Sequence, residues 1–110
     1  IGKYPALCRP PYGAYNNTVK NSISMPIIMW SVDTLDWKTR NAHKTLESIK
    51  RSTTDGAIIL MHDIHAPTAD AVEMVVPHLL KQGFQLVTVS ELINARHGYS
   101  VNGKVYNKVN

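Results

Sequence analysis

The nine residues Ala57-Ile58-Ile59-Leu60-Met61-His62-Asp63-Ile64-His65 restrict the fold more than any other stretch. The first five are apolar without a break. Asp55-Gly56 opens the run and Ala66-Pro67 closes it, so its length reads as a buried strand. A strand that does not alternate is covered on both faces, as strands of parallel sheets are. Such a strand delivers its last side chains to the end of the sheet, where ligands of α/β folds bind. Leu60 and His62 lie two apart and point to the same side of an extended backbone. An apolar side chain and an imidazole then share one wall. The plainer alternative is a histidine that only ends a strand, and this stretch alone does not choose between them.

The rest of the chain alternates between the two regular periods. Tyr4 to Cys8 is a short strand candidate, stopped by the rigid turn Pro10-Pro11-Tyr12-Gly13. Asn16 to Asn21 is a short helix. Pro26-Ile27-Ile28-Met29-Trp30 is a second buried strand, and the polar stretch Ser31 to Arg40 is the loop at its end. Ala42 to Arg51 is a helix with Ala42, Leu46 and Ile49 on one face and Glu47 able to pair with Lys50 or Arg51. The clearest helix follows His65: Val72, Val75, Val76, Leu79 and Leu80 form one stripe, Thr68 or Asp70 caps its start and Gly83 ends it. Phe84 to Val89 is a further strand, and Ser90 to Ile93 begins a short helix. In the tail, residues 99–110, Asn102-Gly103 between valines signals a hairpin. Alternating strands and helices give an α/β class with a mainly parallel sheet. Polar loops after the first three strands put Arg9, Asp36 and His62 at one end of it, where barrel enzymes carry their chemistry. Three or four such units do not close a barrel by themselves.

With 44% hydrophobic residues in 110, a packed core is expected and disorder is not. Twelve Lys and Arg against eight Asp and Glu leave +4, spread along the chain. A nucleic-acid surface concentrates its charge, so no nucleic-acid partner is expected. Cys8 is the one cysteine, which rules out an internal disulfide. No apolar run approaches membrane-spanning length. The chain opens on Ile1 rather than Met, the expected look of a piece of a longer protein.

Several side chains have the chemistry for a site. Arg9, before its proline turn, is a fork suited to a carboxylate or an ordinary surface arginine. Tyr12 offers a phenol or a backbone N–H. Asp33 and Asp36 suit a hard cation, although such a pair is more often a turn feature. Trp37 suits a sugar face or the core. His62, Asp63 and His65 read as metal ligands would need a further site. No phosphate loop, cysteine pair or nucleophile elbow is present.

Three segments in order, Arg9-Pro10-Pro11-Tyr12, Asp33-Thr34-Leu35-Asp36-Trp37 and Leu60-Met61-His62-Asp63, resemble the last three motifs of the polysaccharide deacetylase, or NodB-homology, family. Trp30 to Trp37 and Ile59 to His65 are most similar to Gram-positive peptidoglycan N-acetylglucosamine deacetylases. The resemblance spans about Leu7 to Leu92 and implies the C-terminal half of a distorted, incomplete (β/α) barrel. It implies metal-assisted removal of an acetyl group. The family's Asp-Asp and His-x₃-His motifs, which supply the base and the metal ligands, do not occur here. A divalent metal, zinc first, is therefore expected on residues outside this chain, with the N-terminal half of the same domain as a partner. Carried over by position, Arg9 orients the base and the Tyr12 N–H steadies the oxyanion. Trp37 and Leu60 form a slot for the acetyl methyl, His62 is the general acid and Asp36 tunes it. The expected polymer is peptidoglycan, with chitin oligosaccharide or xylan as alternatives, and the expected location is extracellular or at the cell surface, with any membrane anchor upstream. A non-catalytic wall-binding remnant and a metal scaffold on His62, Asp63 and His65 are the rival readings.

Overall fold

The computed structural model describes residues 2–110. Its strands are β1 (Ile27–Ile28), β2 (Val32–Asp33), β3 (Ile59–Leu60) and β4 (Val105–Tyr106). Its helices are α1 (Asn17–Ser22), α2 (Asp36–Thr39), α3 (Ala42–Ser52), α4 (Ala66–Lys81) and α5 (Val89–His97). A 3-10 turn covers Pro11–Gly13.

β3 comes from the central apolar run and is buried on both sides as its composition requires. Consecutive side chains leave a strand on opposite faces. Ile58 accordingly enters a cluster with Ile28, Ile93, Tyr106 and Val109, and Ile59 packs on the cluster of Ile49, Val75 and Leu79. β3 pairs in parallel with β2, Val32 opposite Ile59 and Asp33 opposite Leu60. The stretch Ser31 to Arg40 is thus not all loop. It holds a strand and a helical turn, joined through Leu35 in the left-handed region (φ 53°). Its polar composition concealed both, because only Val32, Thr34 and Asp36 turn inward.

β1 is the middle of a second parallel group. Ile28 donates to the Cys8 carbonyl (2.7 Å), while Ile27 and Met29 donate to Lys104 (2.9 Å) and Tyr106 (2.8 Å) on the other side. The tail supplies β4, parallel to β1, and this corrects the expected hairpin. The Asn102-Gly103 turn does form, closed by Lys104 N–H on the Val101 carbonyl (3.2 Å). Among the described residues its flanks do not pair with each other. An isolated two-stranded hairpin is marginal in water. Pairing with β1 instead buries Tyr106 and Val109 in the core beside Ile28.

The tail is locked at its far end as well. Val109 N–H donates to the Gly56 carbonyl (2.9 Å). Gly56 has φ 81°, and a Cβ there would collide with the Val109 carbonyl oxygen. Gly56→Ala is therefore expected to cost the domain more than about 1 kcal/mol, from an unsuitable φ and lost tail packing. A urea midpoint equal to that of the parent would show that the tail is not held there.

α3 starts at Asn41, whose side chain accepts from Lys44 N–H (3.0 Å), and packs Ile49 against Val75 and Leu79 of α4. The buried face of α4 is Thr68, Ala71, Val75 and Leu79; Val72 and Leu80 of the expected stripe face outward. The stripe is rotated because two small residues, one carrying a hydroxyl, sit at the close-packed end. Thr68 is not the cap of this helix; His65 holds that position, and Gly83 (φ 92°) follows the end as expected. Phe84 to Thr88 forms no strand. A strand exists only when it pairs, and no strand lies beside this segment among the described residues; Leu86 and Val87 stay exposed. Thr88 and Glu91 then close a capping box that starts α5.

Candidate active site

Arg9, Asp36 and His62 each sit just beyond the C-terminal end of a segment paired in parallel, and local chemistry aims them. The Asp33 carboxylate accepts from Leu35 N–H (3.0 Å), a turn that swings the chain out of β2. The Thr34 hydroxyl donates to the Leu60 carbonyl (2.8 Å), fastening this turn to the end of β3. Together they bring Asp36, the first residue of α2, under the segment that follows β3.

Asp36 is 1% exposed and receives four donors. Its Oδ2 accepts from the His62 backbone N–H (2.6 Å) and the Thr68 hydroxyl (2.7 Å). Its Oδ1 accepts from Trp37 N–H (2.9 Å) and lies 2.8 Å from His62 Nδ1. A carboxylate offers about four acceptor positions, so the group is saturated. Burial pushes the Asp36 carboxyl up, but the His62 and Thr68 hydrogen bonds and the histidine's charge outweigh it and hold the group below the usual carboxylate range. An ionised carboxylate only accepts, so His62 Nδ1 must carry a proton. The remaining ring nitrogen, Nε2, is the atom that takes or gives one. The His62 side chain is 37% exposed, so it is reachable from solvent while its partner is not.

The structure thus brings Asp36 and His62 into direct contact and adds Thr68, which the sequence reading took for a helix cap. The available signal was a hydroxyl on the apolar face of α4, in line with Ala71, Val75 and Leu79. Trp37, half exposed, follows Asp36, and Leu60, buried, stands two residues before His62. Arg9 is held elsewhere. Its Nε and Nη2 donate to the carbonyls of Ile28 (3.3 Å) and Met29 (3.1 Å), and its guanidinium lies 6.0 Å from the Trp30 ring centre. Partial burial pushes it down from the ordinary arginine range. Tyr12 turns its phenol fully to solvent at φ 57°. The next two amides, Gly13 and Ala14, are used inside the turn, donating to Pro10 and Pro11 (3.0 Å each). The Tyr12 N–H has no hydrogen-bond partner among the described residues.

These residues do not fit a metal centre of their own. Among the described residues no three of His, Cys, Asp and Glu gather. The His65 ring centre is 6.5 Å from that of His62, Asp63 is exposed, and Asp36 has no acceptor position left.

No family model matches the chain. It is 50% identical over 91 residues to the peptidoglycan-N-acetylglucosamine deacetylase PgdA of Listeria monocytogenes. It is 42% identical over 91 residues to the peptidoglycan-N-acetylmuramic acid deacetylase PdaC of Bacillus subtilis. Each match covers 83% of this chain and 20% of the relative. A deacetylase structure solved with substrate superposes with a TM-score of 0.88 at 39% identity, over 96% of this chain and 52% of the other. A family 4 acetyl xylan esterase of Clostridium thermocellum, solved with a cobalt ion, gives a TM-score of 0.87 at 27% identity, over 98% and 55%. The chain spans about a fifth of the length of these curated relatives and about half of the solved chains. Those neighbours are (β/α) barrels, and this α/β chain makes up about half of one.

Proposed function

This chain belongs to the polysaccharide deacetylase (NodB-homology) family, and we propose that it supplies the acid side of a site that removes N-acetyl groups from the N-acetylglucosamine of peptidoglycan. The observation that carries the reading is the Asp36–His62 pair: a buried, saturated carboxylate behind a solvent-reachable imidazole whose Nδ1 is committed to that carboxylate, which leaves Nε2 to take or give a proton. Amide hydrolysis needs a proton on the departing amine as the C–N bond breaks. His62 Nε2 gives that proton and Asp36 stabilises the protonated ring that carries it. The unpartnered Tyr12 N–H is a preorganised donor for the tetrahedral oxyanion. Arg9, fixed by two carbonyls, orients the attacking base. Trp37 and Leu60 flank the pair and form the slot for the acetyl methyl. Family deacetylases are metal-dependent; the divalent ion, zinc first, is assigned to residues beyond this chain, since its own do not fit one.

The rest of the same domain is the partner. A hollow of about 880 Å³, bounded by Arg9, Ile58, Ile59, Leu79, Phe84 and Leu92, opens beside the unpaired segment Phe84 to Thr88. The Thr53 hydroxyl, buried and without a partner among the described residues, lines the same hollow. Apolar side chains in its walls, a backbone segment that forms no strand and a length half that of the solved neighbours support seating the remaining barrel strands there. The polymer sets the place of action outside the cell or at its surface.

A wall-binding remnant has no use for a buried carboxylate saturated by four donors, and a scaffold on His62, Asp63 and His65 needs ligands closer together than these. The polymer is tested by acetate release from the complete domain on peptidoglycan, chitin oligosaccharide and acetylated xylan. Release from peptidoglycan with loss of N-acetylglucosamine is expected; release from xylan alone would replace peptidoglycan as the substrate, and no release from any would remove the enzyme reading. Leu60→Ala is expected to narrow the preference for acetyl over propionyl, since one methylene in an apolar pocket is worth about 1–3 kcal/mol. An unchanged acetyl-to-propionyl ratio of kcat/KM would remove Leu60 from the slot.

A further inference from the structure

We propose that Thr68 is a positioning residue of the site, acting through Asp36 to hold the His62 ring in register. The inference rests on the deacetylase reading for its kinetic consequence, but its geometry stands apart from it. Thr68 is 4% exposed and lies on the face of α4 that otherwise carries Ala71, Val75 and Leu79. A hydroxyl on such a face must find a partner or cost stability. It donates to Asp36 Oδ2 at 2.7 Å. The same oxygen accepts the His62 backbone N–H, so it is shared between a helix and the segment after β3.

This sharing ties the carboxylate to α4. Its backbone contacts, His62 N–H at Oδ2 and Trp37 N–H at Oδ1, come from the two segments that carry the pair itself. The Thr68 hydroxyl is the anchor from another element, and with it in place Oδ1 is aimed at His62 Nδ1. α4 itself is anchored through Val75 and Leu79 on Ile49 of α3, so the anchor is stiff. The His65 ring is a titratable neighbour, its centre 6.5 Å from that of His62, and it makes no hydrogen bond to Asp36. Without the hydroxyl, the carboxylate is held only by amides of the segments that carry Asp36 and His62, and it can tilt with them away from the ring. His62 then loses its orientation although every residue that touches substrate is still present.

The test compares Thr68→Val and Thr68→Ser in the complete, metal-loaded domain. Thr68→Val keeps the shape and loses the donor; it is expected to lower kcat by about 10- to 100-fold with KM little changed, the size of a lost hydrogen bond to a charged group. Thr68→Ser is expected to restore most of kcat. The downfield proton resonance of His62 Nδ1–H, assigned by its absence in His62→Ala, should shift or broaden in Thr68→Val and return in Thr68→Ser. If Thr68→Val does not fold, Thr68→Ala, which places no methyl against the carboxylate, takes its place. Parent-like kcat and an unmoved resonance in the hydroxyl-free variant would overturn the proposal, as would equal losses in the serine and valine variants, which make the position one of packing. If the parent domain releases no acetate, the deacetylase reading fails, and the resonance alone decides whether Thr68 positions the pair.

Discussion

Replacing His62 by alanine in the complete domain is expected to lower kcat on the N-acetyl substrate by about 100- to 10,000-fold, the usual contribution of a positioned proton donor. The loss should depend on the leaving group. A glucosamine nitrogen cannot depart as an anion, so it needs the proton from Nε2. A nitrophenolate departs unaided. On an aryl acetate the same variant should therefore lose far less. Equal losses on amide and aryl ester would mean that the ring shapes the site rather than donating to the amine. The ion content should be unchanged, because Nδ1 is committed to Asp36 and, among the described residues, no other His, Cys, Asp or Glu gathers with the pair in sufficient number to hold a metal. Loss of the ion on His62→Ala would make this histidine a ligand and remove the acid role.

What was legible in the sequence divides along a physical line. The central run was read as a strand covered on both faces, and Ile58 and Ile59 do enter different clusters. Local signals were equally readable: the proline turn, the Gly83 stop and the Glu47–Lys50 pair at 3.7 Å all come from a few adjacent residues. What failed depended on a partner distant in sequence. Asn102-Gly103 makes its turn, but which strand β4 joins was settled by the apolar surface of β1. Phe84 to Val89 has the period of a strand, yet period states which face can be buried and not whether a neighbouring strand is at hand. Thr68 could be read as a cap because threonine caps helices often, while its actual partner, Asp36, is 32 residues away. The Asp36–His62 link, across 26 residues, came from family resemblance rather than from spacing. Catalytic polar contacts are of this distant kind, so a site is read from sequence least well where it is most built.

Asp36→Asn is expected to change both stability and kcat, and the amide's chemistry explains why an isosteric change is not mild. Both carboxylate oxygens face backbone donors that cannot reverse: His62 N–H at Oδ2 and Trp37 N–H at Oδ1. Whichever way the amide is turned, its NH₂ meets one of them, and a buried donor is left facing a donor. A cost of about 1.5–3 kcal/mol at neutral pH follows for a hydrogen bond to a charged group lost in the interior. The pH dependence has a definite sign. The folded Asp36 carboxyl lies below its ordinary value, near 3.9 in an unfolded chain. Its contribution is therefore fully present above about pH 4 and is lost as the pH falls through the lower, folded value. The stability gap between parent and Asp36→Asn should be widest at neutral pH and should close on acidification below about pH 4. In catalysis the ring loses the charged acceptor 2.8 Å from Nδ1 that orients it, and kcat on the N-acetyl substrate should fall by about 10- to 100-fold, the size of a lost hydrogen bond to a charged group. Urea unfolding across pH 3 to 8 and kcat on the N-acetyl substrate measure the two effects. A constant stability gap across that range would mean that Asp36 is not held as an anion, and a parent-like kcat would reduce it to a residue of the loop.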